Sequence, residues 1–428
     1  MNKIFNPNKS SWTSLVKRPV YSLDSVKDVV DEIFTNVELY GDKSLIEYTK
    51  KFDNVELNNL KVSSEKINNS ENDIDKDLKE SINVAFNNIY KFHKNQVIDF
   101  NKIETTPGVL CWQEKRAIEN VGLYIPGGTA PLFSSVLMLA IPAMIAKCKN
   151  IVLCSPPDKN GELHPAILYC AKLCKVDTVI CVGGAQSVAA MSLGTETVPK
   201  VNKIFGPGNQ FVTYAKLKSI NFNTAIDMPA GPSELLVLAD KYANPSYIAS
   251  DLLSQAEHGP DSQVIFVSLS KSLINEVEKC INDQVKSLDR IDFINKSISN
   301  SKLIFFDDKT KAIDFINLYA PEHYIINVQD ESFFVDNIVS AGSVFIGNYT
   351  PESAGDYASG TNHTLPTNGN AKQYSGVNLD SFQKTITFQK ISKNGLLNIS
   401  KTVETMAKAE GLQAHKNAVS IRVKDLKS

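Results

Sequence analysis

Val121-Gly-Leu-Tyr124-Ile-Pro126-Gly127-Gly128-Thr-Ala-Pro131-Leu132 is an apolar run of strand length that breaks on a Gly/Pro turn and opens into the apolar helical stretch Leu132–Cys148. From that turn onward the sequence alternates. Strand Asn150–Ser155 leads to a helix near 164–174, strand Thr178–Gly184 to a helix near 185–193, and strand Lys203–Gly206 to a helix near 209–218. The strands are continuously apolar and helices separate them, which predicts βαβ units around a buried parallel sheet. A second series starts at Leu235–Ala239 and runs through helix 245–258, strand Val264–Ser268 and helix 271–286. It ends with Leu303–Phe306, helix 309–318, Tyr324–Asn327 and Ser343–Ile346. The fold class is therefore α/β: two doubly wound, incomplete Rossmann-like parallel-sheet domains joined near Ala230-Gly231-Pro232.

Outside this core the texture changes. Residues 1–20 are expected to form an irregular N-terminal arm. A helix follows at 25–40 with one apolar stripe, a second helical segment at 42–53, then an Asn-rich surface loop over 54–72 and a helix at 74–96 with His93 on its surface. No chemistry stands out in these first hundred residues. Beyond about 370 the alternation dissolves, and 378–428 reads as a helical C-terminal tail that packs on something else. The division expected is an arm (1–20), a larger discontinuous domain (21–130 plus 235–377), a second domain (131–234) and the tail (378–428).

The chain has 428 residues, 43% of them hydrophobic and 21% charged, with a net charge of −2, so nothing in its global charge calls for nucleic acid or an anionic membrane as partner. The N-terminus lacks a signal-peptide core, and the most apolar stretch, Val136–Ala146, is too short to span a bilayer. Seven cysteines without a CxxC pair suit reduced thiols. A cytoplasmic chain is expected.

Two features nominate a site. Asp251-Leu-Leu-Ser-Gln255-Ala-Glu-His258-Gly259-Pro260-Asp261-Ser262 reads as the end of a helix begun at Asn244-Pro245, where Gln255 and His258 share one face. An amide oxygen and an imidazole at that spacing could be half of a metal site, if the rest of the chain supplies further ligands. Glycines also close two strands, in Val182-Gly183-Gly184-Ala-Gln186 and Phe205-Gly206-Pro207-Gly208-Asn209, and each leads into a helix whose free N–H groups could hold a cofactor phosphate. With no GxGxxG pattern, the same glycines could serve only as tight turns.

Ala320-Pro321-Glu322-His323 sets an acid beside an imidazole at a strand start, and the polar run Glu352-Ser-Ala-Gly355-Asp356 to His363 is rich in ligand types, as is Glu410-Gly-Leu-Gln-Ala-His415. Singly, each has an ordinary reading: His323 paired with a backbone carbonyl, Asp356 capping a helix, His415 in solvent. Together Gln255, His258, Asp356 and His415 offer nitrogen and oxygen donors without thiolate, which suits zinc or another divalent first-row metal.

These stretches, with Ile226-Asp-Met-Pro-Ala-Gly-Pro-Ser-Glu and Gly355-Asp-Tyr-Ala-Ser-Gly-Thr-Asn-His-Thr-Leu-Pro-Thr, follow one another from about 120 to 415 in the order and spacing of a known family. The chain closely resembles the histidinol dehydrogenases. The resemblance implies a zinc-dependent, NAD-linked oxidation of L-histidinol through L-histidinaldehyde to L-histidine, the last two steps of histidine biosynthesis. Carried over position by position, it implies one zinc per subunit on Gln255, His258, Asp356 and His415, and Glu322 and His323 as the catalytic pair. Ser233, His363 and Glu410 would contact substrate alongside the zinc ligands and His323, and Tyr124, Gln186 and Asn209 would contact NAD. It further implies a homodimer whose tails are exchanged, so that Glu410 and His415 act in the partner's site. The rival chemistry, a zinc hydrolase with Glu322 activating water, would leave the two glycine-turn helix starts without a task.

Overall fold

The computed structural model describes residues 1–19, 24–127, 131–229 and 231–428. The 20/21 boundary of the arm, Gly128-Thr129-Ala130 of the first turn and Ala230 of the join lie outside the described residues. In chain order the strands are β1 (Asn2–Phe5), β2 (Ile103–Thr106), β3 (Val109–Ala117), β4 (Asn120–Tyr124), β5 (Asn150–Cys154), β6 (Thr178–Ile180) and β7 (Lys203–Phe205). They continue as β8 (Ala225–Ile226), β9 (Glu234–Ala239), β10 (Gln263–Ser268), β11 (Lys302–Phe305), β12 (His323–Asn327), β13 (Ser343–Ile346) and β14 (Gln383–Ile391).

The chain divides into two compact units. The first, Met1–Gln96 with Ile118–Phe382, holds a six-stranded sheet in the order β1-β11-β10-β9-β12-β13 and a five-stranded sheet in the order β6-β5-β4-β7-β8. Every strand pair in both is parallel. The second unit, Val97–Ala117 with Gln383–Ser428, is an antiparallel β14-β3-β2 sheet followed by helices Lys393–Ala409 and Gln413–Lys427. The expected α/β fold with two parallel sheets and a helical C-terminal tail is present.

The apolar runs explain the large sheet. β9, β10 and β12 are buried at every position because helices cover both faces, so inward and outward residues are equally apolar. Period-two alternation survives in what each residue packs against. Leu235, Val237, Val264 and Phe266 join one core, while Leu236, Leu238, Ile265 and Val267 join the core on the opposite face. In the small sheet the buried helix Phe133–Ala146 covers the strands and carries Ser134 and Ser135 toward the site. The helix Pro245–Ala256 starts as its sequence requires, with Asn244 Oδ1 accepting from Ser246 N at 2.9 Å and proline in the first turn.

The structure departs from the sequence reading at five places. Asn2–Phe5 is an edge strand, and Trp12, 3% exposed, anchors the arm edge-on against Phe306 and Phe315. The 54–72 stretch is not a solvated loop. Val55, Leu57 and Leu60 are core residues, Lys61 bridges to Ile180, and Ser64–Asn69 is helical. Apolar side chains spaced through the Asn-rich run seat it, together with backbone bonds from Val62 N to the Val179 carbonyl and from Cys181 N to the Leu60 carbonyl. His93 is fully buried, with Nδ1 against Gln96 Oε1 at 3.0 Å and Nε2 against Asn362 Nδ2 at 3.3 Å. Asn120–Tyr124 lies between β5 and β7 in the five-stranded sheet, whereas the sequence division set it at the end of the larger domain. The tail contributes β14, which pairs with β3 along its whole length. Among the described residues no helix is long and apolar enough to cross a membrane.

Candidate active site

A cavity of about 730 Å³ opens in the first unit where the amino ends of the large sheet face the carboxyl ends of the small one. From the small sheet come Pro126 after β4 and Pro207, Gly208 and Asn209 after β7. From the large sheet come Ser233 before β9, Ser262 before β10, and Glu322 and His323 at the start of β12. Gln255 and His258, at the end of helix Pro245–Ala256, and Asp356, on helix Glu352–Tyr357, complete it with His363. The small sheet thus offers its carboxyl ends, where parallel sheets usually bind ligands, and the large sheet offers the opposite ends.

Glu322 and His323 are buried side by side, with Nδ1 of the ring 3.6 Å from Glu322 Oε2. Glu322 Oε2 accepts from Glu234 N at 2.8 Å, and His323 Nδ1 stands 3.1 Å from the Glu234 carbonyl. A carbonyl can only accept, so Nδ1 carries a hydrogen, and in the neutral ring Nε2 is the nitrogen left to accept a proton. That nitrogen, Nε2, has no hydrogen-bond partner among the described residues and stands 3.6 Å from Asp356 Oδ1. Burial opposes charge on His323, but Glu322 and Asp356 outweigh it and hold its pKa well above the usual histidine value.

Ligating atoms of His258, Glu352 and Asp356 all lie within 4.8 Å of one another. Burial raises Glu352 to about 8 despite the attraction of His323. Burial pulls Asp356 the same way, yet the adjacent His323 ring brings its carboxyl below the ordinary range. Gln255 is fully buried, and neither its amide oxygen nor its nitrogen has a hydrogen-bond partner among the described residues. A buried, unsatisfied amide is costly unless something binds it.

His363 reaches across the site, with Nδ1 3.0 Å from the Asp356 carbonyl and Nε2 3.2 Å from Ser135 Oγ. Burial lowers its pKa, against the pull of Asp356. Asn209 caps helix Gln210–Ser219, its Oδ1 accepting from Phe211 N and Val212 N. Tyr124 and Gln186 are both buried and meet at Gly184, where φ is +64° and a Cβ would come within 2.6 Å of Gln186 Oε1. Glu410 and His415 belong to the second unit, where both are exposed.

Sequence reading passed over Glu352, Glu234, Arg18 and Ser135. Glu352 had a signal: it stands one helical turn before Asp356, on the same face. The other three act through pairings that no local pattern marks.

Residues 16–423 match the family model described as histidinol dehydrogenase. The chain belongs to the histidinol dehydrogenase family. It is 53% identical over 427 residues to the histidinol dehydrogenase of Bacteroides thetaiotaomicron, covering 100% of both chains. The chloroplastic histidinol dehydrogenase of Arabidopsis thaliana is 51% identical, with 98% of this chain and 91% of the relative covered. The crystal structure of histidinol dehydrogenase from Elizabethkingia anophelis superposes with a TM-score of 0.98 at 52% identity, covering 100% of this chain and 99% of that one. The chain is an oxidoreductase of histidine biosynthesis, carrying out the two-step, NAD-linked oxidation of histidinol to histidine.

Proposed function

We propose that both oxidations, of L-histidinol to L-histidinaldehyde and of the aldehyde to L-histidine, run in this one cavity with zinc and NAD as cofactors. The observation that carries the reading is the meeting of a nitrogen and oxygen donor set with a buried acid–base pair in the same 730 Å³ space.

Zinc fits the residues present. The orphaned amide of Gln255, the His258 ring and the Asp356 carboxylate are donors of the right chemistry, and all line the cavity. They would hold the ion together with the partner subunit's His415. Zinc when bound supplies Lewis acidity and a fixed point for the imidazole and amine of the substrate. Tyr124, Gln186 and Asn209 would hold NAD, which when bound would supply the hydride acceptor for each oxidation.

The chain's own residues do the proton work. His323 Nε2 accepts the hydroxyl proton in the first oxidation, and Asp356, were it to hold a cation, would present less negative charge to that ring. The Glu234 carbonyl holds the other ring nitrogen and keeps Nε2 aimed into the cavity. Glu322, anchored through Oε2 by Glu234 N, activates the water that adds to the aldehyde in the second oxidation. Ser233 and His363 contact the substrate from this chain and the partner subunit's Glu410 from the other, in a homodimer with exchanged tails. Such a tail also keeps bulk water from the aldehyde between the two halves. The enzyme works in the cytoplasm.

The test is spectroscopic. L-histidinol and NAD added to zinc-loaded protein should raise the absorbance of NADH. A zinc hydrolase would leave NAD unreduced, and that outcome overturns the reading.

A further inference from the structure

We propose that Arg18 and Glu234 are positioning residues for the Glu322–His323 pair, so that the N-terminal arm takes part in catalysis without touching substrate. Glu234 is 1% exposed and opens β9. Its two peptide groups hold both members of the pair: its N–H donates to Glu322 Oε2 at 2.8 Å, and its carbonyl accepts from His323 Nδ1 at 3.1 Å. Any shift of this one residue moves the acid and the base together.

Its side chain fixes where it sits. Glu234 Oε1 accepts from Arg18 Nε at 3.0 Å and from Asn368 N at 2.7 Å, while Oε2 accepts from Arg18 Nη2 at 2.9 Å. The guanidinium lies over the Tyr319 ring at 3.8 Å, and its Nη2 also donates to the Tyr319 carbonyl at 2.6 Å. Tyr319 ends helix Lys309–Tyr319, and Ala320 turns the chain at φ +53° into Glu322. Arg18 therefore ties down both approaches to the pair, the β9 start and the helix end that precedes β12.

A buried ion pair is weak grounds for stability alone, since an apolar replacement is often as stable. What this pair supplies is geometry, because a planar fork fixes a carboxylate in two directions where an ammonium cannot. Displacing a catalytic group by about 1 Å can cost on the order of 100-fold in rate.

The inference rests on the roles given to Glu322 and His323, and Glu322→Gln alone tests those. Were Glu322→Gln to leave aldehyde oxidation at the parent rate, the roles themselves would fall, whatever Arg18 does. The clamp is tested with Arg18→Lys in the zinc-loaded enzyme. The expected result is a kcat lowered by roughly 10- to 100-fold with the KM for histidinol and the zinc content unchanged. In a Glu322→Gln background the same substitution should cost less than about 3-fold further in aldehyde oxidation, because the group it positions is already disabled. A parent-like kcat, or a loss of equal size in both backgrounds, overturns the clamp. Should Arg18→Lys not fold, Glu234→Gln keeps both peptide contacts and loses the charge pair, and the same two readouts decide.

Discussion

Ser254 Oγ donates to Glu352 Oε2 at 3.0 Å, and this bond links the helix that carries Gln255 to the helix that carries Asp356. Groups behind a metal's ligands set their orientation, and losing one typically lowers affinity by about 10- to 100-fold. Ser254→Ala should therefore weaken zinc binding by about 10-fold in competition with a chromophoric chelator. Unchanged affinity would remove Glu352 from the site's support.

Asp251 lies one turn before Gln255, and burial pushes its carboxyl up from 3.8 to about 7. Because the folded-state pKa is raised, the stability it contributes is complete below about 4 and is lost as pH rises through about 7. Asp251→Asn, which cannot ionise, should melt above the parent at pH 8, with the gap closing as pH falls toward 4. A gap independent of pH across calorimetric scans would contradict the assignment.

Lys216 and Asp227 form a buried pair, each about 1% exposed, beneath the Gly206 turn. Lys216 Nζ donates to the Gly206 carbonyl at 2.7 Å, and Asp227 Oδ2 accepts from Gly206 N at 2.8 Å. Lys216→Met would leave the buried carboxylate without its ammonium partner, a loss of about 3–5 kcal/mol in urea unfolding. Adding Asp227→Asn should restore part of it. A single variant as stable as the parent would show that the pair does not hold the turn.

Glu322→Gln should slow oxidation of L-histidinaldehyde by about 100-fold or more and spare the alcohol step comparatively, because only the second half needs an activated water. Single-turnover traces started from each substrate separate the two. Equal losses in both halves would refute this division of labour.

If the tail acts in the partner's site, His415→Ala and His323→Ala chains, each inactive alone, should regain activity when mixed. Heterodimers of the two variants that stay inactive would place His415 in its own chain's site instead.

The sequence made legible what repeats or clusters locally. Continuous apolar strands between helices announced both parallel sheets, and the Gln255/His258 spacing marked one wall of the site before any partner was known. The ordinary reading of His323, paired with a carbonyl, also holds, and it is compatible with catalysis because the Glu234 carbonyl is what aims the ring. What stayed hidden depends on chain separation. The Arg18–Glu234 bridge spans 216 positions, and nothing near either residue encodes the other. The burial of His93 is equally invisible to local patterns, since its partner Asn362 lies 269 residues away. The role of Asp356 needed the family's pattern to be named, since periodicity says nothing about closeness across the fold.

The central claim is that one cavity carries both oxidations, and product stoichiometry tests it most directly. With limiting L-histidinol and excess NAD, the zinc-loaded enzyme should form two NADH for each L-histidinol consumed, with L-histidine as the product and no free aldehyde trapped by semicarbazide. One NADH for each L-histidinol, with trapped aldehyde in equal amount, would contradict the account.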